Sequence, residues 1–464
     1  MFLDLHRCLL LDCTWFVPLK LMTTYYRHVC AGSDARPGNR RSLRSLIVII
    51  PVLCILLMSA MPASADESFL PERRRNQFQN DQGYYVFPMP FNIPGVGGGV
   101  GLLGIAMNMG GTYADLFGVL LTGELQGEVV GVTDIHIIPK TLILDLNAIN
   151  FNKASVTNYE KRGMETDKHD FSYLQFSDYG FAGARLTATF FDRMFEVYGG
   201  GYKIRGELDK ILDPSGNTIV EIQNPPTWRS SVYALGARGD MTDDYADPRR
   251  GLRLDASRWW SPPFSSSDPS FYRMEYSTTA YFPLGRHSTW AFNYFRSDAH
   301  VTRKGETDPA LVEQHQGLNC STITDPKQKA DCDEVIANII AANTYGTATG
   351  LGGTSRLRSY PNGRFNGAHT VAYGTEVRWT LTEEAHPFDI FVAKDVRTGL
   401  QVAAFYELGS VADRREDLGD VYRASYGAGF RMVTASGLVF RGDVALGREG
   451  FETTIIVGYP WETF

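Results

Sequence analysis

The sequence predicts an all-β fold, a closed antiparallel transmembrane β-barrel of about 16 strands with one long extracellular loop folded into its lumen. Apolar and polar residues alternate along segment after segment, as they do when one strand face meets lipid and the other faces a polar interior. No apolar run reaches the ~18 residues that a membrane-spanning helix requires. Long polar stretches alternate with tight turns, which is typical of such a barrel.

Residues 1–65 are predicted to be a presegment that ends in a cleaved secretory signal. The apolar run Leu46–Ala60 follows three arginines and precedes an Ala-Ser-Ala site at 63–65, which is the order of a signal peptide. A short membrane anchor is the alternative, but the run is too short to span a bilayer. Residues 1–39 do not fit the basic region of a signal, so we interpret them as an over-extended gene start. N-terminal sequencing of the precursor tests this interpretation.

Loss of the presegment changes the net charge and the cysteine content. It removes seven basic and three acidic residues, so the net charge falls from −7 to −11, which argues against a nucleic-acid partner. Of the six cysteines only Cys320 and Cys332 remain, and one pair in an exported chain predicts a disulfide. Zinc binding is the alternative, but two cysteines with scattered histidines make a poor zinc site. No cofactor and no metal are expected.

Residues 66–94 are predicted to form a periplasmic N-terminal arm or plug, and residues 95–464 the barrel. The arm is polar at first and then contains proline and aromatic residues, and it is shorter than the ~40 residues that can fold unaided. The next segment is glycine-rich, with Gly97, Gly99 and Gly101, and is interpreted as a weakly packed first strand. It also contains the pattern GxGxxG, but a dinucleotide site needs a βαβ unit, which is not predicted here.

Further strands follow from the alternation and from the turn residues between them. They are predicted at Asp115–Leu125, Glu128–Ile138, Thr141–Phe151, Tyr179–Phe191, Phe195–Arg205, Arg229–Asp240, Leu252–Trp260, Tyr272–Phe282, Thr289–Asp298 and, in the last third, up to Thr453–Tyr459. Alternation is clearest in the last third, where Val377 and Trp379 share one face and Glu376 and Arg378 the other.

A soluble β-sandwich is the alternative architecture for such strands. The barrel is favoured because charged residues occupy the polar face, aromatic residues cluster near strand ends, and ~370 residues divide into ~16 units of strand plus turn. About fifteen strands are recognised, and an even number is expected, so the prediction is 16 with 14 as the alternative.

Loop length predicts the orientation of the barrel. Tight turns such as Pro283–Arg286 and Thr434–Gly437 are expected on the periplasmic side. Long loops, namely Asn152–Asp170, Ala299–Gly353 and Ala412–Val421, are expected outside the cell.

The segment 299–367 is predicted to be the loop that enters the lumen. Its part Gly350–Phe365 is rich in Gly and Arg and has too few apolar residues for a strand or helix with a buried face. Upstream, Asp325–Thr344 is expected to be a short helix, and a Cys320–Cys332 bridge would close a small surface cap at its base.

Several short motifs of the chain occur in an informative order. Leu357–Tyr360 is similar to a V-R-G-[FY] loop motif, Gly374–Arg378 to the strand after it, Phe405–Gly409 to an F-x-D-x-G strand, Asp247–Gly251 to a D-x-P-x-x-G turn, and Phe464 to a terminal assembly signal. Together they resemble the bacterial surface antigen superfamily of BamA/TamA-like outer-membrane assembly barrels, well over about 247–464 and more weakly over 95–246. Ser359 and Glu407 stand where the motifs have Gly and Asp.

The resemblance implies that the loop after the eleventh strand enters the lumen and that its arginine pairs with acids of the barrel wall. Carried over by motif, the loop anchor comprises Arg358, Tyr360, Glu376, Arg378, Glu407 and Gly409. Alternation alone also places Glu376 and Glu407 on the luminal face, where a guanidinium fork holds a carboxylate firmly. The hypothesis of a weak seam between the first and last strands assigns Gly97, Gly99, Gly101 and Phe464 to it.

Two functions follow as hypotheses. Assembly members of the family carry periplasmic POTRA domains, for which there is no room between Ala65 and Gly95. The first hypothesis is a barrel in the bacterial outer membrane that aids insertion or translocation of protein or lipid at the seam, with clients delivered by a periplasmic partner in trans. The alternative is a passive channel or structural surface barrel plugged by its own loop. Outer-membrane lipid is an expected partner of both.

No enzyme is predicted. The sequence lacks GxSxG, HExxH and Walker patterns. His287 and Ser288 are adjacent, so on a strand they point to opposite faces and do not form a Ser–His pair on the outer wall.

Overall fold

A computed structural model describes residues 77–78, 82–159, 161–285, 287–315, 320–324, 326–382, 388–390, 393–396, 398–434 and 439–461. Within them the chain forms a closed antiparallel β-barrel of sixteen strands, each hydrogen-bonded to the next in sequence. The strands are β1 Gly83–Ile93, β2 Gly97–Met107, β3 Asp115–Gly123, β4 Gln126–Ile138, β5 Leu142–Tyr159, β6 Phe171–Phe190, β7 Phe195–Leu212, β8 Trp228–Thr242, β9 Gly251–Trp260, β10 Ser270–Leu284, β11 Ser288–Arg303, β12 His369–Thr380, β13 Thr398–Ala412, β14 Arg423–Thr434, β15 Val439–Gly447 and β16 Gly450–Val457. The predicted fold class and strand number are confirmed.

Smaller elements lie at the two ends of the barrel. Thr218–Glu221 adds a short strand beside β7, and Phe388–Ile390 pairs with Ala393–Val396 as a hairpin between β12 and β13. Two helices, α1 Pro309–His315 and α2 Pro326–Tyr345, lie in the loop between β11 and β12. No helix among the described residues is long and apolar enough to cross a membrane.

The two faces of the barrel wall differ as alternation requires. On β15 the side chains of Val444 and Leu446 are about half exposed on the outer face, while Arg441 and Asp443 are buried on the inner face. Large apolar side chains are exposed in the same way on most strands. The outer surface is therefore an apolar belt and the lumen is lined by polar and charged groups, the arrangement of a transmembrane barrel.

The two rims of the barrel carry connections of different length. Short turns such as 191–194, between β6 and β7, lie at one rim, together with the start of β1. The opposite rim carries the longer loops, above all residues 304–368 between β11 and β12. We refer to them as the turn rim and the loop rim.

The prediction that residues 66–94 form an N-terminal arm is wrong for residues 83–93. Gly83–Ile93 is the first barrel strand and pairs along its whole length with Gly97–Met107. Pro88 and Pro90 hid this strand from the sequence pattern, because proline is disfavoured inside sheets and tolerated only where its nitrogen faces no partner. Residues 66–76 lie outside the described residues, as does the predicted presegment 1–65.

The glycine-rich segment is the second strand and not the first. Gly97, Gly99 and Gly101 lie on β2, between β1 and β3, so they do not border the closure of the barrel. A Cβ at Gly99 would lie 2.9 Å from the ring of Phe91, so this glycine makes room for a buried aromatic side chain of β1. Phe464, the other residue assigned to the seam, lies outside the described residues.

Several strands are longer than predicted. β5 continues to Tyr159, so only residues 160–170 connect it to β6, and β7 continues to Leu212. β11 runs to Arg303, so the connection from β11 to β12 starts at residue 304 and not at 299. Strand pairing continues beyond the apolar belt toward the loop rim. There the outward side chains are polar too, so apolar and polar residues no longer alternate along the sequence.

Candidate functional site

The luminal loop, residues 346–368, lies inside the barrel and forms a small core of its own. Leu351 and Phe365 form an isolated antiparallel bridge that brings the two arms of the loop together. Leu351, Leu357, Tyr360 and Phe365 are fully buried and pack with Phe295 of the barrel wall. The Gly- and Arg-rich stretch therefore lacks a strand pattern because its apolar residues point into a compact loop and not onto a sheet face.

Arg358 lies at the tip of this loop and is fully buried. Its Nε donates to Glu407 at 3.0 Å, and its Nη1 donates to Glu376 at 3.1 Å and to Asp443 at 2.8 Å. Its backbone N–H donates to the second oxygen of Glu407, also at 3.0 Å. The guanidinium lies over the ring of Phe405, 3.4 Å from its centroid. One side chain therefore ties the loop to strands β12, β13 and β15.

Glu376 is the hub of the network on the β12 side. Its two oxygens accept hydrogen bonds from Arg358, from Arg431 of β14 at 2.9 Å, and from Arg378 at 3.0 Å. The Arg378 guanidinium also stacks on Tyr459, 3.9 Å from the ring centroid. Charge-assisted bonds of this kind are about twice as strong as neutral ones and fix orientation, so they hold the loop tip at one height in the lumen.

The other anchor residues predicted by motif occupy separate places. The Tyr360 hydroxyl lies 3.3 Å from the backbone N–H of Arg448, whose hydrogen bond it accepts, and the Tyr360 ring packs edge-on against Phe365. Gly409 faces the loop, because a Cβ there would lie 2.5 Å from Leu351 and 3.1 Å from Leu357. The absence of a side chain at Gly409 lets the loop core approach the wall.

The Ser359 backbone fits the loop without strain. Its φ is not positive; the left-handed residue beside the arginine is Leu357, with φ of 52°. The Ser359 backbone N–H donates to the hydroxyl of Ser425 at 3.0 Å. Glycine is therefore not required by the backbone at this position, and the departure from the motif is tolerated.

Sequence reasoning missed two groups of the site. Alternation places Arg431, Arg441 and Asp443 on the luminal face, but it does not show that they lie at the height of Arg358. The second group is the chain end, where Gly458 with φ of 114° ends β16 and the following residues turn into the lumen. Trp461 is buried there, and its indole N–H donates to Glu407 at 2.9 Å.

Near the loop rim, a second layer of contacts holds the luminal loop. Arg364 binds Glu449 with two hydrogen bonds of 2.8 Å and Thr166 with two more. Arg162 binds Asp413 and the backbone oxygen of Gly346. The loop is thus fixed to the loops between β5 and β6, β13 and β14, and β15 and β16.

Helices α1 and α2 form a small cap above this layer. A disulfide joins Cys320 to Cys332, with a Cα–Cα distance of 5.5 Å, and packs with Val312 and Ile336. The predicted disulfide is present, and the predicted helix is found, while the short α1 was not anticipated. Among the described residues there is no group of three His, Cys, Asp or Glu side chains that could hold a metal ion.

The sequence matches no family model and no curated protein. Solved structures resemble the fold at low identity. BamA from Haemophilus ducreyi lacking POTRA domains 1-3 shares 13% identity at a TM-score of 0.41, over 83% of this chain and 70% of that one. CdiB from Escherichia coli shares 12% at 0.46, over 82% and 62%, so this chain spans less than two thirds of CdiB. Pseudomonas aeruginosa OccK11 (OpdR) shares 12% at 0.30, over 84% and 95%. The likeness concerns the fold alone.

Proposed function

We propose that the protein is an outer-membrane barrel that aids insertion or translocation of protein or lipid at the seam between β1 and β16. The observation that carries this proposal is the closure of the barrel. β1 and β16 share a single paired position, Asn92 with Ile455, whereas β1 and β2 pair without interruption from Gly83 to Ile93. A strand edge with unpaired backbone groups is a template for another strand or a path for lipid.

The residues of β1 support a weak edge toward β16. In an antiparallel pair, the backbone N–H groups of a strand point alternately toward the partner strand and away from it. Proline has no N–H group, so in the uninterrupted ladder between β1 and β2 it fits only at positions that face away from β2. Pro88 and Pro90 therefore occupy positions that face away from β2, toward the seam. By the register of Asn92 with Ile455, Pro90 lies opposite Val457 and removes a donor that could have bonded to β16, so few backbone hydrogen bonds oppose opening.

Contacts at both ends hold the seam closed. The Asn92 amide donates to the hydroxyl of Thr453 at 3.0 Å and to its backbone oxygen on β16. Toward the turn rim, Tyr84 and Tyr85 pair with Lys394 and Ala393 of the short hairpin between β12 and β13. Between them, the ring of Phe87 packs against Phe440 of β15, with centroids 5.5 Å apart. Side-chain contacts outnumber backbone pairs between β1 and β16, which supports a closure that opens reversibly.

A disulfide across the seam tests the proposal. Residues opposite each other in an antiparallel pair have Cα atoms about 4.5–5.5 Å apart, within the range of a disulfide. Asn92→Cys combined with Ile455→Cys is expected to abolish accelerated folding of a client barrel in liposomes when oxidised, and reductant is expected to restore it. The matched control is Leu102→Cys with Leu120→Cys, an outward pair on β2 and β3. Activity that survives the oxidised seam lock rejects the proposal.

The second candidate is a passive channel or structural barrel plugged by its own loop. It is favoured by the burial of the luminal loop and of Trp461 at the chain end inside the barrel. Planar-bilayer recording distinguishes it: conductance without any effect on client folding supports the plugged channel. Co-purification from outer membranes tests the further proposal that a periplasmic partner delivers clients to the turn rim in trans.

A further inference from the structure

Three arginines meet at one carboxylate in the centre of the lumen. Asp443 accepts hydrogen bonds from Arg358 at 2.8 Å and from Arg431, and it lies 3.6 Å from Arg441. All four side chains are buried, with at most 3% of any residue exposed. The three guanidinium groups come from the luminal loop, β14 and β15.

The charges of this cluster do not cancel among the described residues. Four buried arginines contribute to it, Arg358, Arg378, Arg431 and Arg441, and three buried carboxylates, Glu376, Glu407 and Asp443. One positive charge is left over. Keeping an ion buried without a counter-charge is strongly unfavourable, so a fold that contains this surplus requires compensation.

A second buried network in the same barrel contains direct arginine–carboxylate pairs. Three of its arginines each have their own carboxylate within 2.9 Å: Arg193 with Glu196, Arg238 with Asp255, and Arg253 with Asp240. The central cluster differs because three arginines surround one carboxylate, Asp443.

Arg441 is the arginine to which we assign the surplus positive charge. Its Nη2 donates to the backbone oxygen of Thr354 at 2.6 Å, and its nearest carboxylate is Asp443 at 3.6 Å. Its Nε and Nη1 have no hydrogen-bond partner in the part of the chain that the structure describes. The same is true of Arg358 Nη2 and Arg431 Nε. Each arginine around Asp443 thus retains an unused donor, although buried donors are nearly always bonded.

We propose that this cluster binds one small monovalent anion of the size of chloride, held by Arg441 beside Asp443. A single surplus charge is matched by a monovalent ion, and the burial of Arg441, which is 1% exposed, favours a small one. The ion supplies an acceptor for several guanidinium N–H groups at once. It also joins β15 to the luminal loop, so its occupancy stabilises the loop in the lumen.

Bromide replaces chloride as a probe that diffraction can identify. Crystals of the wild-type protein grown in bromide are measured at the bromine absorption edge. An anomalous peak within hydrogen-bonding distance of Arg441 Nη1 is expected. Water density without an anomalous peak overturns the proposal, as does a carboxylate of this chain found at the same place.

Unfolding in solution gives a second, independent measurement. In detergent at constant ionic strength, the urea midpoint of the wild type is expected to rise when chloride replaces gluconate, by the linkage of binding to stability. Arg441→Gln is expected to lose this dependence, and Arg205→Gln, which removes an arginine that is half exposed on β7, is expected to keep it. Equal chloride dependence in wild type and Arg441→Gln places the ion elsewhere and overturns the site. If Arg441→Gln does not fold, the bromide measurement on the wild type decides alone.

Discussion

Trp461 donates its indole N–H to Glu407 Oε1, the same oxygen that accepts the Nε–H of Arg358. The end of the chain and the tip of the luminal loop are therefore held by one carboxylate. A Cβ at Gly374 would lie 2.6 Å from the Trp461 ring, so β12 is shaped to receive it. Because Trp461 lies only four residues beyond the end of the seam strand β16, release of β16 from the barrel is expected to disturb the loop anchor as well.

Trp461→Phe tests this coupling. Phenylalanine keeps most of the apolar ring but removes the donor to a buried carboxylate, an interaction worth about 1.5–3 kcal/mol. We expect a lower free energy of unfolding and faster protease cleavage in the luminal loop, far from the substitution in sequence. Trp260→Phe, at a partly exposed outward position on β9, serves as the control and is expected to leave the loop protected. Unchanged cleavage of the loop in Trp461→Phe contradicts the coupling.

Arg358→Ala removes the anchor itself. The substitution leaves Glu407 with the neutral indole of Trp461 but without its arginine, and it removes one of the three arginines that bind Glu376. Breaking a buried ion pair in this way costs about 3–5 kcal/mol. We expect the folded band in heat-modifiability gels to convert at a lower temperature, together with faster proteolysis of the loop. Arg358→Lys is expected to restore only part of the stability, because an ammonium keeps the charge but lacks the planar fork.

Arg414→Ala is the matched control for the anchor variant. The Arg414 side chain is 63% exposed and lies 3.8 Å from Glu416, so its removal is expected to leave the free energy of unfolding nearly unchanged. If heat-modifiability and loop proteolysis of Arg358→Ala both equal those of the wild type, Arg358 is not an anchor.

Gly429→Ala is predicted to destabilise the charged network through crowding. A Cβ at this position would lie 2.6 Å from Arg431 Nη1 and would collide with Asp443. Overpacking of a filled interior costs about 1–3 kcal/mol. Gly104→Ala provides the comparison, because nothing lies within 4 Å of a Cβ there. Urea unfolding in lipid vesicles measures both, and equal stability of the two variants would show that the network is loosely packed.

Alternation along single strands was enough to predict the barrel and the luminal face of Glu376 and Glu407. It placed Arg431, Arg441 and Asp443 on that face too, yet their meeting with Arg358 was not predicted. The relative height of side chains on different strands depends on the stagger of the strands, which is a property of the closed barrel and not of one segment.

The two ends of the barrel were the least predictable parts. Pro88 and Pro90 broke the strand pattern of β1, although an edge toward a weak seam is where proline is tolerated. Trp461 follows the last strand, and its inward turn at Gly458 depends on a left-handed backbone that the alternation does not report. Both errors concern the closure of the barrel, where the ordinary rules of a paired sheet do not apply.

Replacing both Cys320 and Cys332 by serine is predicted to loosen the cap while leaving the barrel intact. The bond closes a short loop, with 12 residues of sequence separation, and in the chain-entropy model such a closure is worth about 3 kcal/mol. The cap packs around Val312 and Ile336 as a cluster separate from that of the luminal loop, so its order depends on the disulfide more than on the barrel. We expect protease to cleave α2 faster in the double variant and in reduced wild type, with an unchanged conversion temperature of the folded band. A lower conversion temperature would instead place the cap within the cooperative unit of the barrel.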